Sequence, residues 1–494
     1  MIINNNVEFL SKTVLDNIKQ TKDNSIQFKE SKDGLPVPMV NNIALHSAYY
    51  PLKEAERINK ESDEKKLCIA IGFGAGYHLT GINKEIIAIS VSHETLSNVL
   101  EKIDLSKWFS KDKLRIINED EIVEYFDFFN YSSFYFIIHP VLERLFPDRV
   151  KEIINKVIEL LREPLLEMNT QRKFGRLWFK NILSNIKYFI DDNCNFEPLT
   201  IGAKPILVTG AGPSLVLNID KIKSERNKLF IASADTSFKI LLKYNIIPDA
   251  IFSFDSQHYT YLHFAGIKNT PRLFTDITSP IRLNKNQTIL FSNHPVEKVF
   301  KKSGWNPVYL PSDTRNIGSA VISFFQRYFN EHTIVTAGID YGIFENTIYS
   351  KGSYIDDYIY STGNYFNSVT SQFSKLLYRD NFSKKINGWK TTLLFEEYSK
   401  NNSANKVYTL SSSPFTGFTR ITSLQEAAEQ SKNIKEKILI FEKPQMQGKE
   451  FINAFTDNLK NYPEVLDSYF LSIGRQYCTN EMNKIILIIK EIFN

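Results

Sequence analysis

Short runs of consecutive apolar residues alternate with longer amphipathic stretches over residues 201–421. Such runs are typical of strands that are buried on both faces of a sheet. They predict strands at residues 205–209, 229–232, 250–254, 273–274, 289–291 and 334–337. Helical patterns separate several of these runs, so we expect a doubly wound α/β domain with a parallel sheet.

A second, smaller α/β region is predicted near the start of the chain. Apolar runs at residues 67–71 and 86–91 lie on either side of a glycine-rich turn, residues 72–78, with the sequence GFGAGYH. Strand, glycine turn and strand in this order predict a Rossmann-like unit. The turn lacks the third glycine of the dinucleotide-binding pattern at its usual spacing, so we interpret it as a tight turn without a ligand. A short strand at residues 43–45 and a helix at residues 7–22 are also expected.

Helical spacing of apolar residues dominates two further regions. Residues 149–191 form one amphipathic pattern, and further patterns occupy residues 424–441, 451–459, 464–471 and 480–493. A polar, glycine-containing link at residues 193–204 separates the first pattern from the central strands. We therefore predict three domains: a Rossmann-like N-terminal domain with a helical connector (1–192), a central α/β domain (193–423) and a helical C-terminal region (424–494).

Charge and cysteine content limit the classes of partner. The 60 basic and 55 acidic residues give a net charge of +5 without strong clustering, which predicts no nucleic-acid partner and no membrane insertion. Cys68, Cys194 and Cys478 lie far apart, so we expect a reducing compartment and neither a disulfide framework nor a zinc site, and we name no metal ligand. The chain starts without a secretion-type segment and has no long apolar window, so we expect a soluble, cytoplasmic protein.

The turn at residues 210–214, sequence GAGPS, is the strongest candidate for ligand chemistry. Gly210 and Gly212 would let the backbone approach a bulky anion. Pro213 suits the first turn of a helix, and Ser214 can cap that helix or donate its hydroxyl. Free amides and the dipole at a helix start favour a phosphate. The turn therefore predicts a phosphate-binding site, and we expect Gly212→Val to abolish ligand binding without unfolding the protein. The alternative is a capping turn without a ligand.

Two other strand ends carry candidate site residues. Asp235 and Thr236 follow the strand at residues 229–232 and either line a ligand pocket or cap the next helix. Asp255, at the end of the strand at residues 250–254, is placed for a ribose, a metal ion or a reacting hydroxyl group, or else caps its loop. A general base could be any of three histidines near strand ends: His258, His263 and His294.

Several of these motifs together resemble the Maf (motility-associated factor) glycosyltransferase family. The motifs are GAGPSL at 210–215, ADT at 234–236, PD at 248–249, SFD at 253–255, NIGSA at 316–320 and AGIDY at 337–341. Residues 45–55 and the turn at 72–78 resemble the same family, so the resemblance extends over most of the chain up to residue 423.

The resemblance implies the transfer of a nonulosonic, sialic-acid-like sugar from a CMP-activated donor to Ser or Thr of flagellin. It also implies a sialyltransferase-like central domain whose glycine turn holds the donor phosphate. Direct displacement of CMP from such a donor requires no metal ion. Asp255 and His258 are then the predicted catalytic residues. The predicted donor-binding residues are Gly210, Gly212, Pro213, Ser214, Asp235, Thr236, Gln257, Ser319 and Asp340.

Two alternatives remain open from the sequence. The same broad family includes an archaeal 6-hydroxymethylpterin diphosphokinase, which would use ATP and Mg²⁺ with Asp255 and Asp340 as oxygen ligands. A nucleotide-binding flagellar assembly factor without turnover is the third possibility. Extra domains on both sides of the central one favour an enzyme that acts on a protein.

Overall fold

The computed structural model describes residues 4–20, 26–58, 66–191, 193–283, 285–292, 294–311, 316–377, 381–400, 406–430, 436–446, 448–475 and 478–493. The chain forms two compact units, Met1–Lys173 and Phe174–Asn494. No described helix combines the length and the apolar character that crossing a membrane requires.

The described residues of the first unit form seven strands, and most of its helices are short. The strands are β1 (Gln27–Glu30), β2 (Pro36–Val40), β3 (Ile43–Ala44), β4 (Lys66–Ile71), β5 (Ile86–Ile89), β6 (Leu114–Ile117) and β7 (Ser133–Ile138). The helices are α1 (Lys12–Gln20), α2 (Ala55–Ile58), α3 (His93–Lys102), α4 (Ile122–Tyr125), α5 (Pro140–Leu145) and α6 (Pro147–Ile190). Short 3-10 helices lie at Asn4–Phe9, Pro51–Glu54, Tyr77–Leu79, Leu105–Lys107 and Glu119–Glu121.

A four-stranded parallel sheet forms the centre of this unit, in the order β6-β5-β4-β7. Strands β4 and β5 lie in the middle of this sheet. All residues of β4 after Lys66 are buried, and β5 is buried throughout. Strand order reverses between β4 and β7: the chain runs outward from β4 through β5 and β6 and returns to pair β7 on the other side of β4. The Rossmann-like interpretation of the N-terminal region agrees with this topology.

The second unit contains the remaining elements. Its strands are β8 (Leu199–Thr200), β9 (Ile206–Thr209), β10 (Phe230–Ala234), β11 (Ala250–Ser253), β12 (Arg272–Asp276), β13 (Gln287–Leu290), β14 (Ile334–Ala337), β15 (Ile343–Phe344), β16 (Phe382–Ile386), β17 (Trp389–Thr392), β18 (Val407–Thr409), β19 (Thr419–Arg420) and β20 (Ile438–Leu439). Its helices are α7 (Pro213–Leu217), α8 (Ile219–Ser224), α9 (Asp235–Lys243), α10 (Val296–Lys302), α11 (Ile317–Tyr328), α12 (Tyr354–Thr362), α13 (Val369–Leu377), α14 (Leu393–Lys400), α15 (Leu424–Gln430), α16 (Gly448–Leu459), α17 (Asp467–Ile473) and α18 (Thr479–Phe493).

An eight-stranded sheet organises the second unit, in the order β13-β12-β11-β10-β9-β14-β18-β19. Every neighbouring pair in it is parallel. The chain runs outward from β9 to β13 and then returns to β14 on the other side of β9. The order therefore reverses between β9 and β14, and open α/β sheets bind ligands beyond the carboxyl ends of strands at such a point. The predicted α/β fold class with parallel sheets is confirmed.

Several elements differ from the sequence-based predictions. The unpredicted strands are β1, β2, β6, β7, β8, β15, β16, β17, β18 and β19. Residues 438–439, expected within a helix, form β20, which pairs with β8. Of the helix expected at residues 7–22, positions 21 and 22 lie outside the described residues. The rest forms a 3-10 helix and α1, separated by Leu10 and Ser11, and the Ser11 hydroxyl accepts a hydrogen bond from the Val14 amide. In each case contacts with distant residues outweigh local preference.

The two units also divide the chain differently from the three predicted domains. The division lies inside α6, because this helix continues without a break past the end of the first unit. The C-terminal helices belong to the second unit, where Phe451, Phe455 and Ile485 share one apolar cluster with Ile289 and Phe300. This cluster explains why residues 424–494 do not separate as a compact unit.

Candidate functional site

The glycine turn at residues 210–214 lies at the point where the order of the large sheet reverses. It follows β9, and its neighbour across the sheet is the turn after β14. A Cβ atom on Gly210 would collide with the carbonyl of Gly338, and one on Gly338 with the carbonyl of Gly210. Gly338 also has a positive φ of 74°. Two glycines are therefore required for these turns to meet.

The amides of the turn donate hydrogen bonds within the protein. The Gly210 amide bonds to the carbonyl of Ala337 at 2.9 Å and the Gly212 amide to that of Gly338 at 2.8 Å. The Ser214 amide donates to Oδ2 of Asp340 at 2.9 Å. These three amides are thus bonded in this arrangement, whereas the sequence analysis took the amides of the turn to be free. Phosphate binding by the turn stays a prediction.

Pro213 begins α7, as the sequence predicted, with Gly212 as the preceding cap residue. The helix has only five residues. Ser350 holds the turn from a third segment: its amide donates to the carbonyl of Ala211 at 2.7 Å, and its hydroxyl donates to that of Gly212 at 2.7 Å. The turn is therefore a closely braced part of the fold.

Asp340 joins the turns that follow β9, β14 and β18. Its carboxylate accepts hydrogen bonds from the Ser214 amide and the Ser411 hydroxyl, and the Ser214 hydroxyl accepts the Gly338 amide at 2.7 Å. Burial raises the pKa of the Asp340 carboxyl, while the hydrogen bonds from Ser214 and Ser411 act in the opposite direction. Ser214 and Asp340 are fully or nearly fully buried, so they position the turns.

A second polar cluster lies after β10 and β11 in the same sheet. Asp235, the first residue of α9, is fully buried and accepts a hydrogen bond from the Ser253 hydroxyl at 2.7 Å. Nε2 of His263 lies 4.0 Å from Oδ1 of Asp235. The Tyr354 ring packs edge-on against the His263 ring, with 3.9 Å between centroids. A carboxylate, an imidazole and a phenol thus lie side by side.

Burial dominates the electrostatics of this cluster. Burial raises the pKa of Asp235, while His263 and the Ser253 hydroxyl lower it. Burial lowers the pKa of His263, while Asp235 and Asp255 raise it. The pKa of Tyr354 is raised to about 12, first by burial and then by Tyr349, Asp235 and Asp255. Asp255 therefore acts electrostatically on all three groups, and the cluster contains three residues that the sequence singled out: Asp235, Asp255 and His263.

The remaining predicted site residues have different surroundings. Asp255 is exposed, and its Oδ1 accepts the Gln257 amide at 2.9 Å, which is the loop-capping role considered above. His258 is exposed and its ring stacks on Tyr261, with 6.5 Å between centroids. Thr236 and Gln257 are partly buried. None of these placements by itself assigns a role.

Ser319 lies in the first turn of α11, and its amide donates to the side chain of the cap residue Asn316 at 2.9 Å. Its hydroxyl is 2.7 Å from that of Tyr341, whose φ of 46° is unusual for a residue with a side chain. Ser319 therefore supports the backbone just after Asp340.

Sequence reasoning did not name Ser253, Tyr354, Tyr341 or Ser411 as site residues, and it named His263 only as one of three possible bases. Ser411 follows β18, a strand that was not predicted. Tyr354 lies in no motif. Sequence signals existed for Ser253 and Tyr341, which lie in the motifs SFD and AGIDY, and for His263, which lies eight residues after Asp255 in the same loop region.

The fold and this site define a doubly wound α/β protein with polar and glycine-containing turns gathered at the reversal point of its sheet. Residues 180–345 match the family described as 6-hydroxymethylpterin diphosphokinase MptE-like. The structure of MAf glycosyltransferase from Magnetospirillum magneticum AMB-1 has a similar fold, with a TM-score of 0.51, 10% identity, and coverage of 99% of this chain and 93% of that one. The predicted link to this broad family is confirmed.

Two proteins of Treponema pallidum (strain Nichols), each described as an uncharacterized protein, are similar in sequence. One is 30% identical over 128 residues, which are 24% of this chain and 58% of the relative. The other is 26% identical over 158 residues, which are 31% of this chain and 27% of the relative. The chain thus spans little more than half of the first relative and about a quarter of the second.

Proposed function

We propose that this protein is a glycosyltransferase that moves a sialic-acid-like sugar from a CMP-activated donor to Ser or Thr of flagellin in the cytoplasm. The observation that carries the proposal is the exposed Asp255 carboxylate, which acts electrostatically on the buried Asp235 and His263 and on the partly buried Tyr354, at the carboxyl edge of the sheet where the glycine turn also lies. The fold shared with a Maf glycosyltransferase supports it.

The transfer needs a base for the acceptor and an environment for the leaving phosphate. Asp255 is the proposed base, with His258 as the second candidate on the same loop. It takes the proton of the acceptor hydroxyl as the new bond from oxygen to the anomeric carbon forms. The bond between that carbon and the CMP phosphate oxygen breaks, and CMP leaves with the bonding electrons. We assign the nucleotide to the pocket predicted around Thr236 and the glycine turn.

A diphosphokinase is the second candidate, and the match of residues 180–345 to the MptE-like family favours it. That activity would use Mg²⁺, with Asp255 and Asp340 as predicted ligands. Both oxygens of Asp340 accept hydrogen bonds inside the protein, Oδ2 from the Ser214 amide and Oδ1 from the Ser411 hydroxyl. Asp340 is also buried, so a cation could reach its carboxylate only if the surrounding turns moved apart, and this supports the glycosyltransferase over the diphosphokinase.

Thermal denaturation with different nucleotides separates the two candidates. CMP and CMP-N-acetylneuraminic acid should each raise the melting temperature, because a ligand at about 100 times its Kd adds ~2.7 kcal/mol to the free energy of unfolding. ATP with Mg²⁺ should leave it unchanged. The opposite result would favour the diphosphokinase, and no response to either nucleotide would contradict both.

A pair of threonine variants tests where the nucleotide binds. Thr236→Val should reduce the stabilisation by CMP, because this residue is assigned to the nucleotide pocket. Thr200→Val, at an exposed position in β8, should leave it unchanged. Equal responses of the two variants would contradict the assigned position.

A further inference from the structure

The small parallel sheet of the first unit has a reversal point of its own, between β4 and β7. The turn at residues 72–78 follows β4, and His139 follows β7 directly. The His139 amide donates to the carbonyl of Ile71, the last residue of β4, at 2.9 Å. This is the position at which open α/β sheets bind ligands. The proposed transferase site lies in the other unit and does not use it.

Three buried histidines meet at this point: His46, His78 and His139. Each offers a ring nitrogen, and these nitrogens all lie within 4.8 Å of one another. The ring of His139 is 4.8 Å, centroid to centroid, from each of the other two rings. An imidazole binds a metal ion through an unprotonated ring nitrogen.

The glycine turn makes room for two of these imidazoles. Gly72, Gly74 and Gly76 all have positive φ angles, of 83°, 56° and 77°. A Cβ atom on Gly74 would lie 2.7 Å from Nε2 of His46 and 2.9 Å from Nε2 of His139. The two Nε2 atoms therefore converge on one small volume beside the turn, which a side chain at residue 74 would fill.

His78 is the member of the cluster that the protein interior does not explain. Among the described residues, neither of its buried ring nitrogens has a hydrogen-bond partner. Buried polar groups almost always have one, and a bound ion is a recognised reason for an exception. His78 is the last residue of the glycine turn and lies against both other rings.

His46 is held as metal-binding histidines usually are. Its Nδ1 lies 2.7 Å from Oε2 of Glu54, and Oε1 of the same carboxylate accepts the Ser47 amide at 2.6 Å. A carboxylate that accepts the proton of one ring nitrogen orients the ring and makes the other nitrogen a better ligand. Here that other nitrogen is Nε2, which lies beside Gly74.

We propose that His46, His78 and His139 form a binding site for a divalent transition-metal ion of the zinc type. Three imidazoles suit zinc, cobalt or nickel and do not suit Mg²⁺ or Ca²⁺, which take oxygen ligands. Three protein ligands leave a fourth position of a tetrahedral zinc ion for water or another ligand. These histidines were not predicted as zinc ligands, because the expectation of no zinc site rested on the spacing of the cysteines alone.

Metal binding exchanges two hydrogen bonds for coordination. Nε2 of His46 accepts the Ala75 amide at 2.9 Å, and Nδ1 of His139 accepts the Leu142 amide at 3.3 Å. If Nε2 of His46 coordinates the ion, it can no longer accept the Ala75 amide. If Nε2 of His139 coordinates the ion, the ring proton lies on Nδ1, which then cannot accept the Leu142 amide. The three nitrogens must also approach to roughly 3.4 Å of one another, as ligands ~2.1 Å from a tetrahedral zinc ion do. The turn and the imidazoles therefore shift slightly when the ion binds.

Cobalt and zinc titrations of the full chain test the site after removal of metals with a chelator. We expect one Zn²⁺ per chain by elemental analysis, and visible absorption bands of four-coordinate Co²⁺ that Zn²⁺ abolishes. His78→Ala should weaken binding at least about tenfold, and Glu54→Gln about 10–100-fold because it removes the orienting carboxylate. His93→Ala, which removes a histidine of the same unit outside the cluster, should bind as the wild type does.

A second variant keeps the test decisive if His78→Ala does not fold. Gly74→Ala retains all three histidines but fills the volume between two of them, so it should also lose Co²⁺ binding. Absence of stoichiometric binding by the wild-type chain would overturn the proposal. So would an equal loss in His93→Ala, or wild-type affinity in a folded His78→Ala protein.

Discussion

Individual residues at the ends of β9 and β14 are constrained by space and by hydrogen bonds. The sequence GAGPS predicts a turn whose glycines leave space for a ligand. In the structure, Gly210 and Gly338 instead leave space for each other's backbone. Ser214 and Asp340 were both predicted as ligand-binding residues, and they bond to each other. The glycines alone indicate that another group approaches the backbone closely. The pairing of β9 with β14 decides that this group is the backbone of the other turn.

Gly212 provides a test of this constraint. Its φ of −66° suits any residue, but a Cβ atom there would collide with Oδ2 of Asp340 and lie 2.8 Å from the carbonyl of Gly338. Gly212→Ala should therefore lower the free energy of unfolding by about 2–3 kcal/mol. This corrects the expectation that Gly212→Val leaves the fold intact.

Chemical denaturation measures the effect, and Gly202→Ala is the comparison. Nothing lies within 4 Å of a Cβ atom on Gly202, whose φ is 66°, so this variant should lose only about 1 kcal/mol of backbone strain. If Gly212→Ala is as stable as the wild type, the packing against Asp340 does not constrain this position.

Asp255 should be required for turnover and dispensable for folding. The carboxylate is exposed, and an asparagine can still accept the Gln257 amide. Asp255→Asn should lower kcat/KM for the transfer about 100-fold or more, since general-base catalysis contributes on that order, with an unchanged melting temperature. Asp220→Asn, an exposed acid in α8, is the control. Turnover at the wild-type rate would contradict the assigned role.

At the scale of elements, α6 shows how a helix positions the loops of the site. Asn181 donates from its amide group to the carbonyls of Ser256, at 3.0 Å, and Thr278, at 2.7 Å. Asn185 does the same for Ile277, at 2.6 Å, and Ser279, at 2.9 Å. Two asparagines one helical turn apart thus donate hydrogen bonds to the backbone carbonyls of the loops after β11 and β12. The periodicity of α6 predicted the helix, but not that these polar positions face the ends of strands.

Asn181→Leu should destabilise the second unit and loosen the loop that contains Asp255. Two buried carbonyls would lose their donor, so the free energy of unfolding should fall by about 2 kcal/mol, and transfer activity should fall with it. Lys187→Ala, at an exposed position of the same helix, should change neither quantity. Urea denaturation and activity assays check both, and a variant as stable and active as the wild type would show that α6 does not hold this loop.

At the scale of the whole molecule, much of the chain lies outside the large sheet. The first unit and the helices α16, α17 and α18 provide surface that a small-molecule substrate does not require. A protein interface of standard size needs about 800 Å² on each partner, which such regions can supply. This surface supports the proposal of a protein acceptor, and the proposal that this acceptor is flagellin rests on the family resemblance.

Deletion of the gene should lower the intact mass of the flagellar filament protein by the mass of the sugars that the enzyme attaches. Complementation with the wild-type gene should restore the mass, and complementation with Asp255→Asn should not. An unchanged mass in the deletion strain would remove flagellin as the acceptor. The nucleotide-binding experiments above would still separate a glycosyltransferase from a diphosphokinase.

The sequence by itself determined the strands at the centre of both sheets and the positions of the glycine turns. Buried parallel strands such as β4, β9 and β14 are short apolar runs, and glycines follow them where the backbone must turn closely. It also indicated that polar residues follow these strands, because this order is local.

Only the tertiary structure decided which of those residues meet. Strand order places β14 beside β9, and so brings Asp340 to Ser214, although the two are far apart in the chain. The same pairing of β7 with β4 brings His139 to His78. Such contacts arise from hydrogen bonding between distant strands, which no local pattern of apolar and polar residues records.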